Sequence, residues 1–270
     1  MKKLLSLLAA IVLTVTCAFA LVGCGDNGSK KTKLYVYTNA GFAPYEFINA
    51  NGEVVGVDVD IMKEVGEVLG YEVVINDIEF NQILVEVAKN PMAVGAAGMT
   101  KKPDRDEVAL ASIPYATSVQ YVIVPKNTFT AADLTDGKLP VSKLAALSKK
   151  AIGVQEGTTG HFLIEDEITK EEGSLGTSFQ CMTYTNAIVA SQDIATTLGA
   201  VIIDKLPAQS ICSANSNLEC FELVADVEEY VIYFNKEATD LANKVNKILE
   251  KMIDGGVIDY YTLKHSGGIL

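Results

Sequence analysis

Two side chains of opposite charge follow apolar, strand-like runs in this chain of 270 residues. Arg105 comes shortly after the run Ala93–Gly98, and Asp204 ends the run Gly199–Asp204. Ligands of open α/β sheets bind at the ends of buried strands, where the first polar side chains stand. A guanidinium holds a carboxylate in a bidentate pair, and a carboxylate holds an ammonium group. Together the two residues suit a small zwitterion.

Further polar and aromatic residues stand at the ends of other predicted strands. Each has a plainer interpretation when it is taken alone. Arg105 has acidic neighbours in the sequence and could form surface ion pairs, and phenylalanines usually belong to the core. The additional candidates are Asn39, Phe42, Phe80, Thr100, Thr158 and Thr159.

The composition excludes several classes of function. A formal net charge of −12 argues against binding nucleic acid or an anionic membrane through a basic face. The two histidines, His161 and His265, lie far apart, and no cysteines have the C-x-x-C spacing of a zinc site. We therefore expect no bound metal and no cofactor.

The first 23 residues are predicted to be an export signal. Two lysines precede the uncharged, mostly apolar stretch Leu4–Gly23, which is also long enough for a membrane-spanning helix. We prefer the export signal to the membrane-spanning helix, because LVGC at Leu21–Cys24 resembles the lipobox of bacterial lipoproteins. We expect cleavage before Cys24, lipidation of Cys24, and a tether over residues 24–32. The mature chain would then be anchored to the outer face of the cytoplasmic membrane.

Three further cysteines remain after cleavage, namely Cys181, Cys212 and Cys220. A location outside the cytoplasm permits disulfides, and Cys212 with Cys220 could close a short loop. Reduced, half-buried thiols are an equally good interpretation of the same spacing.

Hydrophobic periodicity predicts alternating strands and helices from Lys33 onward. Strand-like runs begin at Lys33, Tyr71 and Ala93, and segments of helical periodicity join them. A second round of the same kind begins near Lys150 and includes the run that ends at Asp204. Two such rounds predict two α/β lobes, each with a largely parallel sheet.

Five sequence blocks resemble bacterial solute-binding protein family 3, the extracellular solute-binding proteins of polar amino-acid ABC transporters. The blocks are TNAGFAPYEF, GVDVDIMKEV, AAGMTKKPDR, GVQEGTTG and AVIIDKLPA, and the match runs in order from about Leu34 to Tyr261. Each block is weak alone, whereas five in order behind a lipobox are specific. The resemblance implies a periplasmic-binding-protein-like fold of type II. In this fold two α/β lobes, joined by two hinge strands, close over a ligand in the cleft between them.

The resemblance also implies how the chain is divided and what it does. Lobe one would comprise residues 33–114 plus 231–270, lobe two residues 119–225, and the hinges about 115–119 and 225–230. The protein would be a monomer that captures an L-amino acid and delivers it to a membrane permease. It would not be an enzyme.

Individual roles follow from the same resemblance. Arg105 would bind the ligand α-carboxylate together with the backbone N–H groups of Thr100 and Thr159. Asp204 would bind the α-ammonium, helped by the Gly98 carbonyl and the Thr100 hydroxyl. The remaining ligand-binding positions would be Phe42 and Phe80 on either side of the ligand side chain, Asn39 at its end, and Thr158 beside the helix start.

Asn39 departs from the family pattern, in which many members have an aspartate. An amide carries no charge that could neutralise a cation, so Asn39 favours a neutral polar ligand such as glutamine over lysine or arginine. Glu156 and other carboxylates could still supply a cation site. The chain also lacks the tryptophan that many members carry near the C-terminus.

Three other functions fit parts of the pattern, and one of them, an adhesin-like lipoprotein, suits the anchor but gives no reason for the polar residues of the cleft. The same fold hosts dehydratases, so cleft carboxylates could do acid–base chemistry, although no nucleophile–base pair is apparent. A sensing lipoprotein is the second alternative, and such proteins usually carry a downstream membrane span and signalling domain, which we do not expect here.

Overall fold

Two five-stranded sheets form the centres of two α/β lobes. The computed structural model describes residues 31–267, so the predicted signal and the lipidated Cys24 lie outside the described residues. Within that range, no helix has both the length and the apolar character needed to cross a membrane.

The strands and helices alternate along the chain, as the periodicity predicts. The strands are β1 (Lys33–Thr38), β2 (Phe47–Ile48), β3 (Val54–Val55), β4 (Glu72–Asp77), β5 (Ala93–Gly95), β6 (Leu110–Ala111), β7 (Ala116–Ser118), β8 (Gln120–Pro125), β9 (Ala151–Gln155), β10 (Gln180–Tyr184), β11 (Ala200–Asp204), β12 (Leu218–Glu222), β13 (Glu228–Tyr230) and β14 (Tyr233–Phe234). The α-helices are α1 (Val57–Leu69), α2 (Ile83–Lys89), α3 (Pro103–Val108), α4 (Thr159–Thr169), α5 (Ala187–Gln192), α6 (Lys205–Ala214), α7 (Thr239–Asp254) and α8 (Val257–His265).

Lobe one is built on the sheet with strand order β4-β1-β5-β14-β6. Strand β1 is parallel to β4 and β5, whereas β14 returns antiparallel to β5. Helix α1 buries Ile61, Met62 and Val65, whose three- and four-residue spacing places them on one face. Helix α7 packs into the same core through residues such as Leu241 and Val245. The C-terminal helices therefore return to the lobe that the N-terminal strands begin.

Lobe two is built on the sheet with strand order β10-β9-β11-β8-β12. Strand β9 is parallel to β10 and β11, and β8 is antiparallel to β11. All residues of β9 and β11 are buried, as expected for central strands covered on both faces. The carboxyl ends of β9 and β11 therefore bring Gln155 and Asp204 to the same edge.

A separate two-stranded sheet joins the two lobes. It pairs β7 with β13 in antiparallel register, and Tyr230 lies opposite Ala116. The chain passes through these two strands on its way between the lobes. They fall within the predicted hinge ranges, but the lobe boundaries and the hinge movement stay predictions.

The cysteines within the described range are free and half-buried. Cys212 on α6 and Cys220 on β12 pack against the same apolar cluster, and the neighbouring Cys220 thiol raises the pKa of the Cys212 thiol. In this structure Cys212 and Cys220 are thus two half-buried thiols.

Candidate functional site

A pocket of about 330 Å³ lies between the two lobes, at the carboxyl ends of strands from both sheets. All nine residues expected to contact a ligand line it, and contact with a ligand itself stays a prediction. The lining residues are the expected Asn39, Phe42, Phe80, Gly98, Thr100, Arg105, Thr158, Thr159 and Asp204, together with Glu46, Ala97 and Gln155.

Arg105 reaches the pocket from α3, which starts at Pro103 soon after β5. The side chain is buried, and its guanidinium donates to the Thr100 carbonyl (Nη1–O 2.8 Å) and to the Gly157 carbonyl (Nη2–O 3.1 Å). The second bond crosses from lobe one to lobe two. A guanidinium has five N–H donors, so donors remain for a bound carboxylate. The buried charge favours an anionic group in the pocket.

Asp204 supplies a charge of opposite sign to that of Arg105, and it belongs to lobe two. Pairing of β11 with β8 places it opposite Gln120, whose Nε2 donates to its Oδ2 at 3.2 Å. The Tyr230 hydroxyl donates to its Oδ1 at 2.5 Å. Burial, and then the nearby Glu228, raises the pKa of the Asp204 carboxyl to about 7. An ammonium group bound here would favour the ionised form.

The start of helix α4 adds backbone donors to the pocket. Thr158 caps this helix, because its hydroxyl oxygen accepts from the His161 N–H at 3.2 Å. Thr159 is the first helical residue, so its N–H is among the groups without a partner inside the helix. Such N–H groups favour a bound anion, and the Arg105 guanidinium favours the same kind of group.

Gly98 allows a ring to lie against the backbone at the floor of the pocket. Its φ is 53°, and a Cβ at this position would lie 2.5 Å from the Phe42 ring. The Gly98 N–H donates to Asp58 at 2.8 Å, which ties this segment to helix α1. Phe80 forms another part of the wall, and its ring centroid lies 5.3 Å from the Arg105 Cζ.

Asn39 lies in the pocket, but both polar groups of its amide have protein partners. Its Nδ2 donates to the Ile78 carbonyl at 2.7 Å, and its Oδ1 accepts from Gln155 Nε2 at 2.8 Å. The second bond connects lobe one with lobe two. Asn39 therefore bridges the cleft in this structure.

Glu46 is the most consequential lining residue that the sequence analysis missed. It is only 1% exposed, and its Oε2 has no hydrogen-bond partner within residues 31–267. Burial, and then Asp58, Asp204 and Asp77, raises the pKa of its carboxyl well above the usual range. A buried carboxyl with a free oxygen at a pocket wall suits a cationic or hydrogen-bond-donating ligand group.

A sequence pattern indicates Gln155 as a site residue, whereas none indicates Glu46. Gln155 ends a buried strand, as Asp204 does, so the strand-end argument could have found it. Glu46 lies in the loop sequence APYEF, where a carboxylate is usually solvated, and no local pattern marks it as buried. The additional carboxyl at the pocket wall thus comes from a position without a sequence signal, while Glu156 is exposed and outside the lining.

Known proteins resemble this chain over nearly its whole length. The sequence model of the bacterial extracellular solute-binding proteins, family 3, matches residues 34–267. The arginine-binding extracellular protein ArtP of Bacillus subtilis (strain 168) is 29% identical over 269 residues, covering 96% of each chain.

Solved structures resemble the fold as well. A mutant of ArgBP from T. maritima has 28% identity and a TM-score of 0.73, covering 86% of this chain and 94% of its own. An ancestral arginine-binding protein bound to arginine has 26% identity and a TM-score of 0.74, with coverages of 87% and 99%. With a family match that spans both lobes and the pocket between them, this chain belongs to the bacterial extracellular solute-binding proteins, family 3.

Proposed function

We propose that this chain, a substrate-binding component of an amino-acid ABC transporter, captures a cationic L-amino acid, with L-arginine as the specific candidate. The matched protein from B. subtilis and the ancestral protein are named as arginine-binding, and ArgBP has been solved in an arginine-bound form. Those names describe the relatives. The case for this chain rests on the charges of its own pocket.

The proposal assigns the common part of an amino acid to Arg105 and Asp204. The α-carboxylate pairs with the Arg105 guanidinium and the N–H groups at the start of α4. The α-ammonium pairs with Asp204, the Gly98 carbonyl and the Thr100 hydroxyl. Because Arg105 belongs to lobe one and Asp204 to lobe two, both ends are held only when the cleft is closed.

The observation that carries the cationic assignment is the buried Glu46 Oε2, which has no hydrogen-bond partner among the described residues. The lining residues supply one cation, Arg105, and two acidic groups, Asp204 and Glu46. A zwitterion with a neutral side chain matches Arg105 and Asp204 and leaves Glu46 as a buried carboxyl whose neutral form is favoured by burial. A cationic side chain would favour the ionised form of Glu46 and act as its counter-charge, and a guanidinium can also donate two parallel hydrogen bonds.

The expectation of a neutral ligand rested on Asn39 alone. In this structure the Asn39 amide is engaged by Ile78 and Gln155, so it is not the group that supports a choice between ligands. We therefore give Glu46 the selective role and Asn39 the role of a contact that forms when the lobes close.

We further propose that the protein is lipid-anchored through Cys24 and works as a monomer at the outer face of the cytoplasmic membrane. The support is the lipobox-like LVGC and the extracellular family. Mass spectrometry of the native mature protein should find acyl chains on Cys24 and none in Cys24→Ala. An unmodified Cys24 in the native protein would contradict the anchor.

The proposal is a binding function without chemistry on the ligand. The lining contains no histidine, cysteine or lysine from the described range, and its charged groups match those of an unreactive amino acid. Prolonged incubation of L-arginine with the protein should return L-arginine unchanged by mass analysis. A converted product would favour the dehydratase-like alternative.

A thermal-shift panel tests the ligand class. Ligand at a hundred times its dissociation constant stabilises the fold by about 2.7 kcal/mol, which shifts the melting temperature by about 5 to 10 °C for a chain of this size. We expect this shift with L-arginine, a smaller one with L-lysine, and none with L-glutamate at the same concentration. A full shift with L-glutamine and none with L-arginine would refute the cationic assignment.

A further inference from the structure

Glu228 lies at the centre of a hydrogen-bond cluster that joins the two lobes. It belongs to β13, one of the two strands that connect them. Its Oε2 accepts from the Thr100 hydroxyl of lobe one and from the Thr159 hydroxyl of lobe two, the latter at 2.9 Å. Its Oε1 accepts from Gln120 Nε2 of lobe two at 2.8 Å. One carboxylate thus contacts both lobes and the connecting strand.

Glu228 lies behind the ligand pocket. Thr100 and Thr159 line the pocket on one side, and on the other they line a larger, open cavity beside the connecting strands. Glu228 and Gln120 line only this second cavity. Glu228 is therefore separated from a bound ligand by the two threonine side chains.

The chemistry of these groups fixes the direction of the hydrogen bond from Thr100. An ionised carboxylate can only accept, whereas a hydroxyl has one donor and two acceptor lone pairs. When Thr100 donates its single proton to Glu228, its oxygen can offer only lone pairs to the pocket. That is the polarity needed to accept a hydrogen bond from an ammonium group.

The Gln120 amide links Glu228 to Asp204. Its Nε2 donates to both carboxylates, at 2.8 Å to Glu228 and 3.2 Å to Asp204. The opposite amide orientation would point the carbonyl oxygen at two acceptors, so the two carboxylates fix how the amide lies. One hydrogen-bond network therefore contains both acceptors for an ammonium group. Asp204 is bonded to Gln120 itself, and Thr100 is connected to Gln120 through Glu228.

We infer that Glu228 is a positioning residue of the ligand site, which holds the Thr100 hydroxyl as an acceptor for the ligand's α-ammonium group when the lobes close. The inference rests on the proposed function, because it requires an amino-acid ligand in the pocket. It does not depend on the ligand side chain. It assigns a role in binding to a residue of a connecting strand that does not touch the ligand.

The test compares Glu228→Gln with Glu229→Gln by calorimetric titration with L-arginine and L-glutamine. The new amide can donate to Thr100, which would turn the hydroxyl proton towards the ammonium group. We expect Glu228→Gln to weaken binding of the wild type's ligand about tenfold, the effect of one hydrogen bond to a charged group. Glu229 is exposed on the same strand, so Glu229→Gln should stay within about twofold of wild type.

A second pair of variants separates positioning from general structural damage. We expect Thr100→Val alone to weaken binding about tenfold, and Glu228→Gln added to Thr100→Val to cost less than about threefold more. A full tenfold additional loss in that background, or wild-type binding by Glu228→Gln, would overturn the inference. Should Glu228→Gln fail to fold, the Thr100→Val variant decides, since unchanged binding there also overturns it.

Failure of the Glu228 inference can be distinguished from failure of the proposed function. If the wild type binds L-glutamine and not L-arginine, the cationic assignment fails, and the same variants titrated with L-glutamine still test Glu228. If the wild type binds neither amino acid, the proposed function and this inference both fail.

Discussion

Replacing Arg105 with alanine is expected to weaken L-arginine binding at least a hundredfold while the protein stays folded. Arg105 is 6% exposed, and its guanidinium would be the cationic partner of the ligand carboxylate. Removing one partner of a buried charge pair costs about 3 to 5 kcal/mol, and each factor of ten in affinity corresponds to about 1.4 kcal/mol. Asp204→Asn should have a similar effect, because it leaves the ligand ammonium without a counter-charge.

The measurement is calorimetric titration, with circular dichroism to verify folding. Lys101→Ala and Asp226→Asn are matched controls, because each removes an exposed charge near the site without touching the pocket lining. Both controls should bind within about twofold of wild type. Binding within threefold of wild type by Arg105→Ala or Asp204→Asn would show that the amino-acid backbone is held elsewhere.

The second large effect is expected from Glu46→Gln. If Glu46 neutralises the ligand side chain, the substitution leaves a buried guanidinium without its carboxylate and weakens L-arginine binding at least a hundredfold. Binding of L-glutamine should change less than threefold or become tighter, because L-glutamine has no charged side chain for the Glu46 carboxylate to neutralise. Glu53→Gln, an exposed position in the neighbouring turn, is the control and should leave both affinities unchanged. Equal losses for L-arginine and L-glutamine in Glu46→Gln would assign Glu46 to structure and not to selectivity.

The same assignment predicts how binding depends on pH. Burial and the neighbouring carboxylates raise the pKa of Glu46 in the empty pocket, and a bound guanidinium would lower it again. The carboxyl group therefore releases a proton on binding, so affinity for L-arginine should rise with pH until the pKa of the empty pocket is passed. Calorimetry in buffers of different ionisation enthalpy measures the released proton. Glu46→Gln should flatten the pH dependence, leaving the part that Asp204 contributes.

The predictable part of the fold was set by local patterns that tertiary packing did not override. Helix α1 follows the three- and four-residue spacing of Ile61 and Val65, and α7 follows the same spacing from Leu241. The strand predicted from Tyr71 begins at Glu72, a shift within the usual uncertainty of element ends. No local pattern indicates that β14 inserts beside β5, because that pairing depends on distant segments.

The predictable part of the site was the set of residues at strand ends. Arg105, Asp204 and the threonines could be named because the end of a buried strand can be recognised in the sequence. The family resemblance then assigned a role to each of them. Glu46 and Glu228 could not, since each lies among residues whose pattern suits a solvated carboxylate. The burial of Glu46 and the hydrogen bonds of Glu228 arise only when segments far apart in the chain are brought together. The neutral-ligand prediction rested on Asn39, whose cross-cleft partner Gln155 also comes from a segment far away in the chain.

The most direct measurement of the central claim compares L-arginine with L-citrulline in titrations of the wild-type protein. The two ligands have nearly the same shape, but citrulline replaces the guanidinium with a neutral ureido group. Both present the same carboxylate and ammonium to Arg105 and Asp204, so the ratio of their affinities isolates the charge that Glu46 would neutralise. We expect L-arginine to bind at least a hundredfold more tightly than L-citrulline. Equal affinities, or tighter binding of L-citrulline, would contradict a pocket selective for a cationic amino acid.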